Sequence, residues 1–330
     1  MSSDTLLLKR SEVASLLGID ECMDAVEHAF KMFAMGEAAA PGILGIHATD
    51  GGFHIKAGIL YLQRPYFVAK INANYPMNPR RHDLPTIQGV IAVSDGSNGK
   101  LLALMDSMEI TTIRTGAATG VAAKYLARPD SKTATIIGCG NQGKISLRAL
   151  MNTFKLEKIY VYDIDPSVAN RFIKELSKEF SISIEGVAQI DLAMRETDIC
   201  VTCTPSKKYF LRQEIVKAGT FVAAIGSDNE DKQELDPRLL ASNKVVVDLL
   251  EQASKIGELH HAIDSGIMSR DHVYAELGDI IAGKKKGRVS SDEIIIFDST
   301  GTALQDVAAA AIVYEKAVQL KNILALNFLR

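Results

Sequence analysis

The apolar positions of this chain alternate between two periods. Residues 133–137 (TATII) form a short apolar run of small and β-branched residues, as in a parallel strand covered on both faces. Ile145, Leu147, Leu150 and Met151 then recur at helical spacing within residues 144–154, and 159–162 return to a strand pattern. Residues 166–180 predict a helix with Pro166 at its first position. Further strands are expected at 198–204, 220–225, 245–248 and 293–297. Strands alternating with helical or loop segments predict a doubly wound parallel sheet from about 130 to about 300.

The flanking sequence reads differently. A short strand opens it, followed by a helix capped by Ser11 and stopped by Gly18. A second helix over 21–35 carries Met23, Val26, Ala29, Phe30 and Phe33 on one face. Gly-rich turns after residue 41 lead to strands at 53–58 and 67–72, and 72–85 is expected to be a loop. Residues 86–93 and 101–105 predict a hairpin around Asp95–Lys100. A helix rich in Gly, Ala and Thr covers 109–127, and Arg128 to Ser131 reads as a linker. One long apolar helix over 303–325 is expected to return to the first domain. The 330 residues thus divide into an α+β domain, 1–128 with 303–330, and a nucleotide-binding α/β domain, 129–302.

Composition narrows the picture. The chain is 47% hydrophobic and 23% charged with a net charge of −3, which gives no reason to expect nucleic acid or an acidic membrane as partner. Its apolar runs are shorter than a membrane span, and MSSDTLLLKR shows no basic region leading into an apolar core, so a cytoplasmic protein is expected. Cys200 and Cys203 make a C-x-x-C inside a predicted strand without a second ligand pair. They read as small core residues, Cys139 as a small residue beside the glycine loop, and no metal site is expected.

The chemistry begins at Gly138, Gly140 and Gly143, spaced G-x-G-x-x-G between a strand and a helix. The first glycine permits the tight turn, the second lets backbone approach a pyrophosphate, and the third lets helix and strand pack closely. Asn141 and Gln142 lie in the same loop, at a helix N-terminus suited to an anion. Asp163 ends the next strand about 20 residues on, where an acid can accept from a ribose 2′-hydroxyl. It would repel a 2′-phosphate, so NAD is expected rather than NADP.

Elsewhere, Lys56 and Lys70 each interrupt a mostly apolar strand. A buried lysine is costly unless paired, so each suggests an anion partner, the alternative being an edge strand with its ammonium in solvent. Arg114 lies among small residues and offers a fork for a carboxylate or phosphate. The carboxyl ends of the parallel strands carry Thr204-Pro205-Ser206, Gly226-Ser227-Asp228 and Asp298-Ser299-Thr300-Gly301.

Together these motifs resemble the ornithine cyclodeaminase/mu-crystallin family. The resemblance rests on Lys70-Ile71-Asn72 with Pro76 and Asn78, Thr112-Ile113-Arg114-Thr115, the glycine loop, Gly226-Ser227-Asp228 with Glu234-Leu235, and Phe297 to Gly301 with Asp306. It implies a Rossmann domain, a substrate and dimerisation domain built from both chain ends, a homodimer, and nicotinamide chemistry at an amine or imine carbon beside a carboxylate. Family members include cyclodeaminases, an archaeal type of alanine dehydrogenase, and ketimine and iminosuccinate reductases. Carried over by position, Lys70 and Arg114 meet the substrate carboxylate and Asp228 moves a proton. Thr86, Arg114, Thr115, Gln142, Thr204, Lys232 and Ser299 meet the cofactor, and Thr300 is taken as a further substrate contact.

One segment departs from the pattern. Where cyclodeaminases have an arginine in a P-x-R type segment, this chain has Pro41-Gly42-Ile43-Leu44. Lys56 could replace that arginine as an anion ligand. The departure favours an NAD-dependent amino acid dehydrogenase or imine reductase over an ornithine cyclodeaminase, for which only Asp50 offers a nearby acid for a distal ammonium. A non-catalytic, mu-crystallin-like ligand-binding protein is the remaining alternative. For the dehydrogenase, the substrate is a small amino, imino or keto acid. Cations near Asp228 would favour its ionised form, and burial would oppose it.

Overall fold

The computed structural model describes residues 4–328. The chain divides into two compact units, residues 1–114 with 302–330 and residues 115–301. The outermost residues of the first expected range, 1–3 and 329–330, lie outside the described residues.

The first unit opens with β1 (Thr5–Leu8), α1 (Arg10–Leu16) and α2 (Ile19–Ala34). The α1 helix starts one residue ahead of Ser11, because Glu12 accepts the Lys9 N–H at 2.9 Å and closes the first turn. In α2, Glu21 accepts the Gly18 N–H at 2.8 Å and starts the helix earlier than its apolar face suggests. Next come β2 (Gly42–Ala48), β3 (Gly51–Tyr61), β4 (Pro65–Asn74), the short α3 (Asn78–Arg81), β5 (Ile87–Asp95) and β6 (Leu101–Asp106). The glycines after residue 41, expected in turns, lie instead in a long β2–β3 hairpin. The predicted 72–85 loop contains α3. Then α4 (Ser107–Leu126) leads away, and the division between the units falls inside it.

The second unit is the predicted α/β alternation. Its strands are β7 (Thr133–Ile137), β8 (Lys158–Tyr162), β9 (Ser183–Gly186), β10 (Ile199–Thr202), β11 (Lys207–Leu211), β12 (Phe221–Ala224), β13 (Gln233–Leu235), β14 (Lys244–Val247), β15 (Ala275–Glu276) and β16 (Ile295–Asp298). Its helices include α5 (Asn141–Thr153), α6 (Pro166–Leu176), α7 (Ile190–Met194), α8 (Pro237–Ala241), α9 (Leu250–Ile256), α10 (Glu258–Asp264) and α11 (Leu277–Ile281). Among the described residues, eight strands form one parallel sheet in the order β15-β14-β16-β12-β10-β7-β8-β9. Strands β7, β10, β12 and β16 are buried on both faces, which is why they read as continuous apolar runs. Strand order reverses at β7, the switch point where such sheets bind ligands beyond their carboxyl ends. Small residues matter here too. A Cβ on Gly116 would stand 2.7 Å from Ile145 Cγ1, so α4 and α5 approach at a distance only glycine permits.

The chain then returns to the first unit as α12 (Ala303–Val318) and β17 (Leu324–Leu326). The predicted single helix over 303–325 therefore stops seven residues early, and β17 pairs antiparallel with β1. The sheet of this unit runs β17-β1-β6-β5-β4-β3-β2 among the described residues. Helix α12 packs on β3, β4 and α2. Its alanines bring it close: a Cβ on Gly58 would meet that of Ala303 at 3.3 Å. The opposite face of the sheet exposes Leu44, Ile46, Phe53, Phe67, Ile71 and Val90. Among the described residues, no helix is long and apolar enough to cross a membrane.

Candidate functional site

In the second unit, β7 delivers the glycine loop to the switch point. Gly138 has φ +103°, and a side chain there would stand 2.7 Å from the Cys203 carbonyl oxygen. A Cβ on Gly143 would lie 2.2 Å from the Gly138 carbonyl oxygen. At Gly140, which caps α5, nothing comes within 4 Å of the corresponding point. Among the described residues no side chain caps α5, so the N–H groups of its first turn, at Asn141, Gln142 and Gly143, lack partners inside the helix. The Gln142 Oε1 is buried without a hydrogen-bond partner among the described residues. This is an open anion seat at a helix N-terminus.

Asp163 stands just past β8. Its Oδ2 accepts the Cys139 N–H at 2.9 Å, and its Oδ1 accepts the Asp165 N–H at 3.0 Å. Each carboxylate oxygen retains further acceptor capacity. The seat and the acid fit the pyrophosphate and ribose of a dinucleotide. Burial disfavours the thiolate form of the neighbouring cysteines, pushing Cys139 up to about 12 and Cys203 well above its ordinary value. The Cys203 Sγ instead donates to the Gly138 carbonyl at 3.0 Å.

The strand ends of the same unit carry most other predicted contacts. Thr204 gives its N–H and hydroxyl to Glu234 at 2.6 and 2.8 Å. Thr115 is buried in α4, where its carbonyl accepts the Thr119 hydroxyl. Ser299 donates its N–H to Ala224, and its hydroxyl lies 3.5 Å from Asp248. Thr300 donates to Asp248 at 2.9 Å and accepts from Gln252 at 2.7 Å. Asp228 corrects an expectation: it is not buried, its side chain being 51% exposed and accepting from Lys232 at 2.7 Å.

The first unit holds the cations. Strands β3 and β4 place Lys56 directly opposite Lys70, both buried and both on the face toward α12. Neither lies on an edge strand, which removes the solvent-facing alternative. Lys70 Nζ stands 2.9 and 2.7 Å from the two oxygens of Asp306, in the first turn of α12. Arg114 Nε reaches Asp306 Oδ1 at 3.0 Å, and Arg114 Nη1 donates to Gln305 at 2.9 Å. Burial pushes the Lys70 ammonium down to about 7, with Arg114 and Lys56 adding to the fall and Asp306 opposing it. Burial pushes the Asp306 carboxyl up, but Lys70, Arg114 and Lys56 outweigh it and hold it below the usual carboxylate range. Two cations thus share one carboxylate, and a third contributes to the field.

Thr86 lies just before β5, half-buried, with its carbonyl accepting the Tyr75 N–H at 2.8 Å. Asp50, the candidate acid for a distal ammonium, is exposed at the β2–β3 turn and paired with Arg81 at 2.9 Å. Sequence reasoning noted Asp306 only as part of a motif. An acid inside the apolar run of α12 was the available signal for its place in the cluster. Glu234, like Asp306, entered only as part of a motif, and Asp248 gave no pattern beyond an acid at the end of a short strand; these two acids gather the strand ends.

Residues 3–321 match the model of the ornithine cyclodeaminase/mu-crystallin family. The chain belongs to this family. Within the family, it is 40% identical over 321 residues to a protein from Archaeoglobus fulgidus named alanine dehydrogenase, covering 97% of each chain. Among solved family structures, an archaeal "alanine dehydrogenase dimer w/bound NAD" is 39% identical with a TM-score of 0.93, covering 98% of this chain and 99% of that one. The Thermococcus litoralis Delta(1)-pyrroline-2-carboxylate reductase, solved with NADH and L-proline, is 34% identical with a TM-score of 0.90, covering 96% and 98%.

Proposed function

We propose that this chain is an NAD-dependent amino acid dehydrogenase or imine reductase. It exchanges hydride between NAD(H) and the α-carbon of a small 2-amino or 2-imino acid. The observation that carries this reading is the buried meeting of Lys70 and Arg114 on the single carboxylate of Asp306, beside Lys56. A buried cation needs a counter-ion, so a cluster richer in cations than in acids is a receptor for a substrate carboxylate. The family relatives named for reactions at C–N bonds of amino acids support the same reading.

Bound at the glycine loop, NAD(H) supplies or takes up the hydride. The open first turn of α5 would seat its diphosphate, and Asp163 would accept from the adenosine ribose. Thr86, Thr115, Thr204, Lys232 and Ser299 are proposed as further cofactor contacts, and Thr300 as a substrate contact. Lys56, Lys70 and Arg114 orient the substrate by its carboxylate. Asp228, or a water it holds, serves the substrate nitrogen with a proton in the reductive direction.

We further infer a homodimer formed through the outer sheet face of the first unit. Leu44, Ile46, Phe53, Ile71 and Val90 form an exposed apolar surface there, too continuous for scattered surface residues. The relative solved as a dimer supports this inference. A cytoplasmic location is proposed with it.

The test is NADH consumption, followed near about 340 nm by the reduced nicotinamide's own absorbance. Pyruvate, glyoxylate and oxaloacetate are each supplied with ammonia, and a cyclic imino acid is supplied alone. A parallel assay looks for proline from ornithine and NAD. Steady NADH loss with one acid establishes the reductase and names its substrate. Proline without net NADH change makes the chain a cyclodeaminase instead.

A further inference from the structure

The second unit contains a carboxylate that the reaction does not touch but on which two of its strand ends depend. Glu234 lies on β13 with its side chain fully buried. Its Oε1 accepts the N–H and the hydroxyl of Thr204, at 2.6 and 2.8 Å. Its Oε2 accepts the Thr202 hydroxyl at 2.7 Å and the Gly226 N–H at 3.0 Å. Four donors therefore converge on one side chain, from the carboxyl ends of the adjacent parallel strands β10 and β12.

Only a carboxylate can accept on all four sides at once, since an amide offers one oxygen and turns its other end into a donor. The approach is also tight: a Cβ on Gly226 would lie 2.4 Å from Glu234 Oε2. Glu234 is itself held from behind. Glu258, also buried, accepts the N–H groups of Glu234 and Leu235 at 2.7 and 3.1 Å. Asp298, at the end of β16, accepts the Leu259 N–H at 2.8 Å. Three buried carboxylates thus link the ends of β10, β12 and β16 through β13 and the start of α10.

We propose that Glu234 is a positioning residue for cofactor binding: it fixes Thr204 and the Gly226-Ser227-Asp228 turn in the arrangement that takes up NAD(H), without contacting the cofactor. The inference rests on the NAD-dependent reading given above. Glu234→Gln keeps the shape of the side chain and reverses the polarity of one end, so a backbone N–H of Thr204 or Gly226 faces a donor. Thr202→Val keeps shape and removes a single donor, at a residue with no proposed part in binding or chemistry.

The experiment measures NADH affinity directly, by the fluorescence change of NADH on titration with protein, so that no substrate needs to be known. The melting midpoint of the cofactor-free protein is recorded beside it. The expected result is tight binding by the wild type, a dissociation constant raised about tenfold in Glu234→Gln, and a smaller rise in Thr202→Val. The melting midpoint should change little in Thr202→Val. Wild-type affinity in Glu234→Gln, or in Thr202→Val should the first variant fail to fold, overturns the positioning role and leaves the NAD reading intact. A wild-type protein that binds no NADH overturns the cofactor reading, and the inference with it.

Discussion

In the first unit, two cations are buried on one acid; in the second, acids are buried around backbone N–H groups and hydroxyls. Lys70 and Arg114 share Asp306, while Glu234, Glu258 and Asp298 rest on donors supplied by strand ends and helix starts. At Asp306 the cations outweigh the cost of removing charge from water, whereas at Glu234, Glu258 and Asp298 the donors offset only part of it and burial raises each acid. The first arrangement gathers two cations on one carboxylate, which suits the receipt of a further anion. The second leaves its central carboxylate saturated with donors, which suits a brace. The same physical problem therefore separates a binding cluster from a scaffold.

Breaking the first arrangement should have the largest effect. Asp306→Ala leaves two buried cations without their carboxylate and is expected to cost about 3–5 kcal/mol of stability. Urea unfolding of wild type and variant would measure it, and a loss below about 1 kcal/mol would mean that other groups compensate these cations. Asp228→Asn comes next. It should reduce turnover by on the order of 100-fold or more while leaving NADH affinity unchanged. Because Asp228 is half exposed and its ion pair with Lys232 is a solvated one, its loss should not destabilise the fold. Unchanged turnover would remove it from the mechanism. Asp163→Ala should narrow the preference for NADH over NADPH about tenfold, through loss of a charged hydrogen bond and of repulsion toward a 2′-phosphate. An unaltered NADH:NADPH ratio would deprive the cofactor assignment of its physical basis.

The finest test uses pH, because the two regions should respond with opposite sign. Lys70 has a folded value of about 7, below the 10.5 of a free lysine. The folded state therefore binds fewer protons between those values, and Lys70 makes stability rise with pH across that window. Asp298 is raised by burial from 3.8 to about 7. Its contribution is complete below the lower value and is lost as pH rises through the upper one. Each effect is bounded by about 1.4 kcal/mol per pH unit. Lys70→Met should flatten the alkaline side of the stability profile, and Asp298→Asn the side between about pH 4 and 7. Denaturant midpoints measured across pH would show both; equal profiles in all three proteins would refute the contrast. Carboxylate binding should weaken above pH 7 in the wild type, as Lys70 loses its proton.

The parallel sheet was legible because fully buried strands leave unbroken apolar runs and the glycine loop has a fixed geometry. Strand β7 ends where its sequence pattern ends. The edges were harder. Strands β9, β11, β13 and β15 have two to five residues, too few to show a periodic or continuous apolar pattern. The β2–β3 hairpin was obscured by glycines that normally signal turns, and by exposed apolar residues on an edge strand with no polar alternation. The end of α12 at Val318 was hidden because the apolar composition continues into β17. At the candidate site, Lys70 and Arg114 stood out as charges among apolar or small neighbours. Their shared carboxylate comes from the other end of the chain, and local pattern carries no information about that meeting. Likewise, Glu234 has a short-strand context that reveals nothing of the four donors around it.

The placement of Asp306 has a consequence for how the protein is made. It follows Lys70 by 236 residues and Arg114 by 192. At roughly 5–20 residues per second, the ribosome needs on the order of ten to fifty seconds to cover that interval. The second unit, residues 115–301, is a continuous stretch and is fully synthesised within it. The unit whose sequence emerges first is thus the one completed last, with its cations waiting in a nascent chain for a carboxylate not yet translated. A chain ending before residue 306 would carry every strand of the parallel sheet and lack the counter-ion on which the other unit closes.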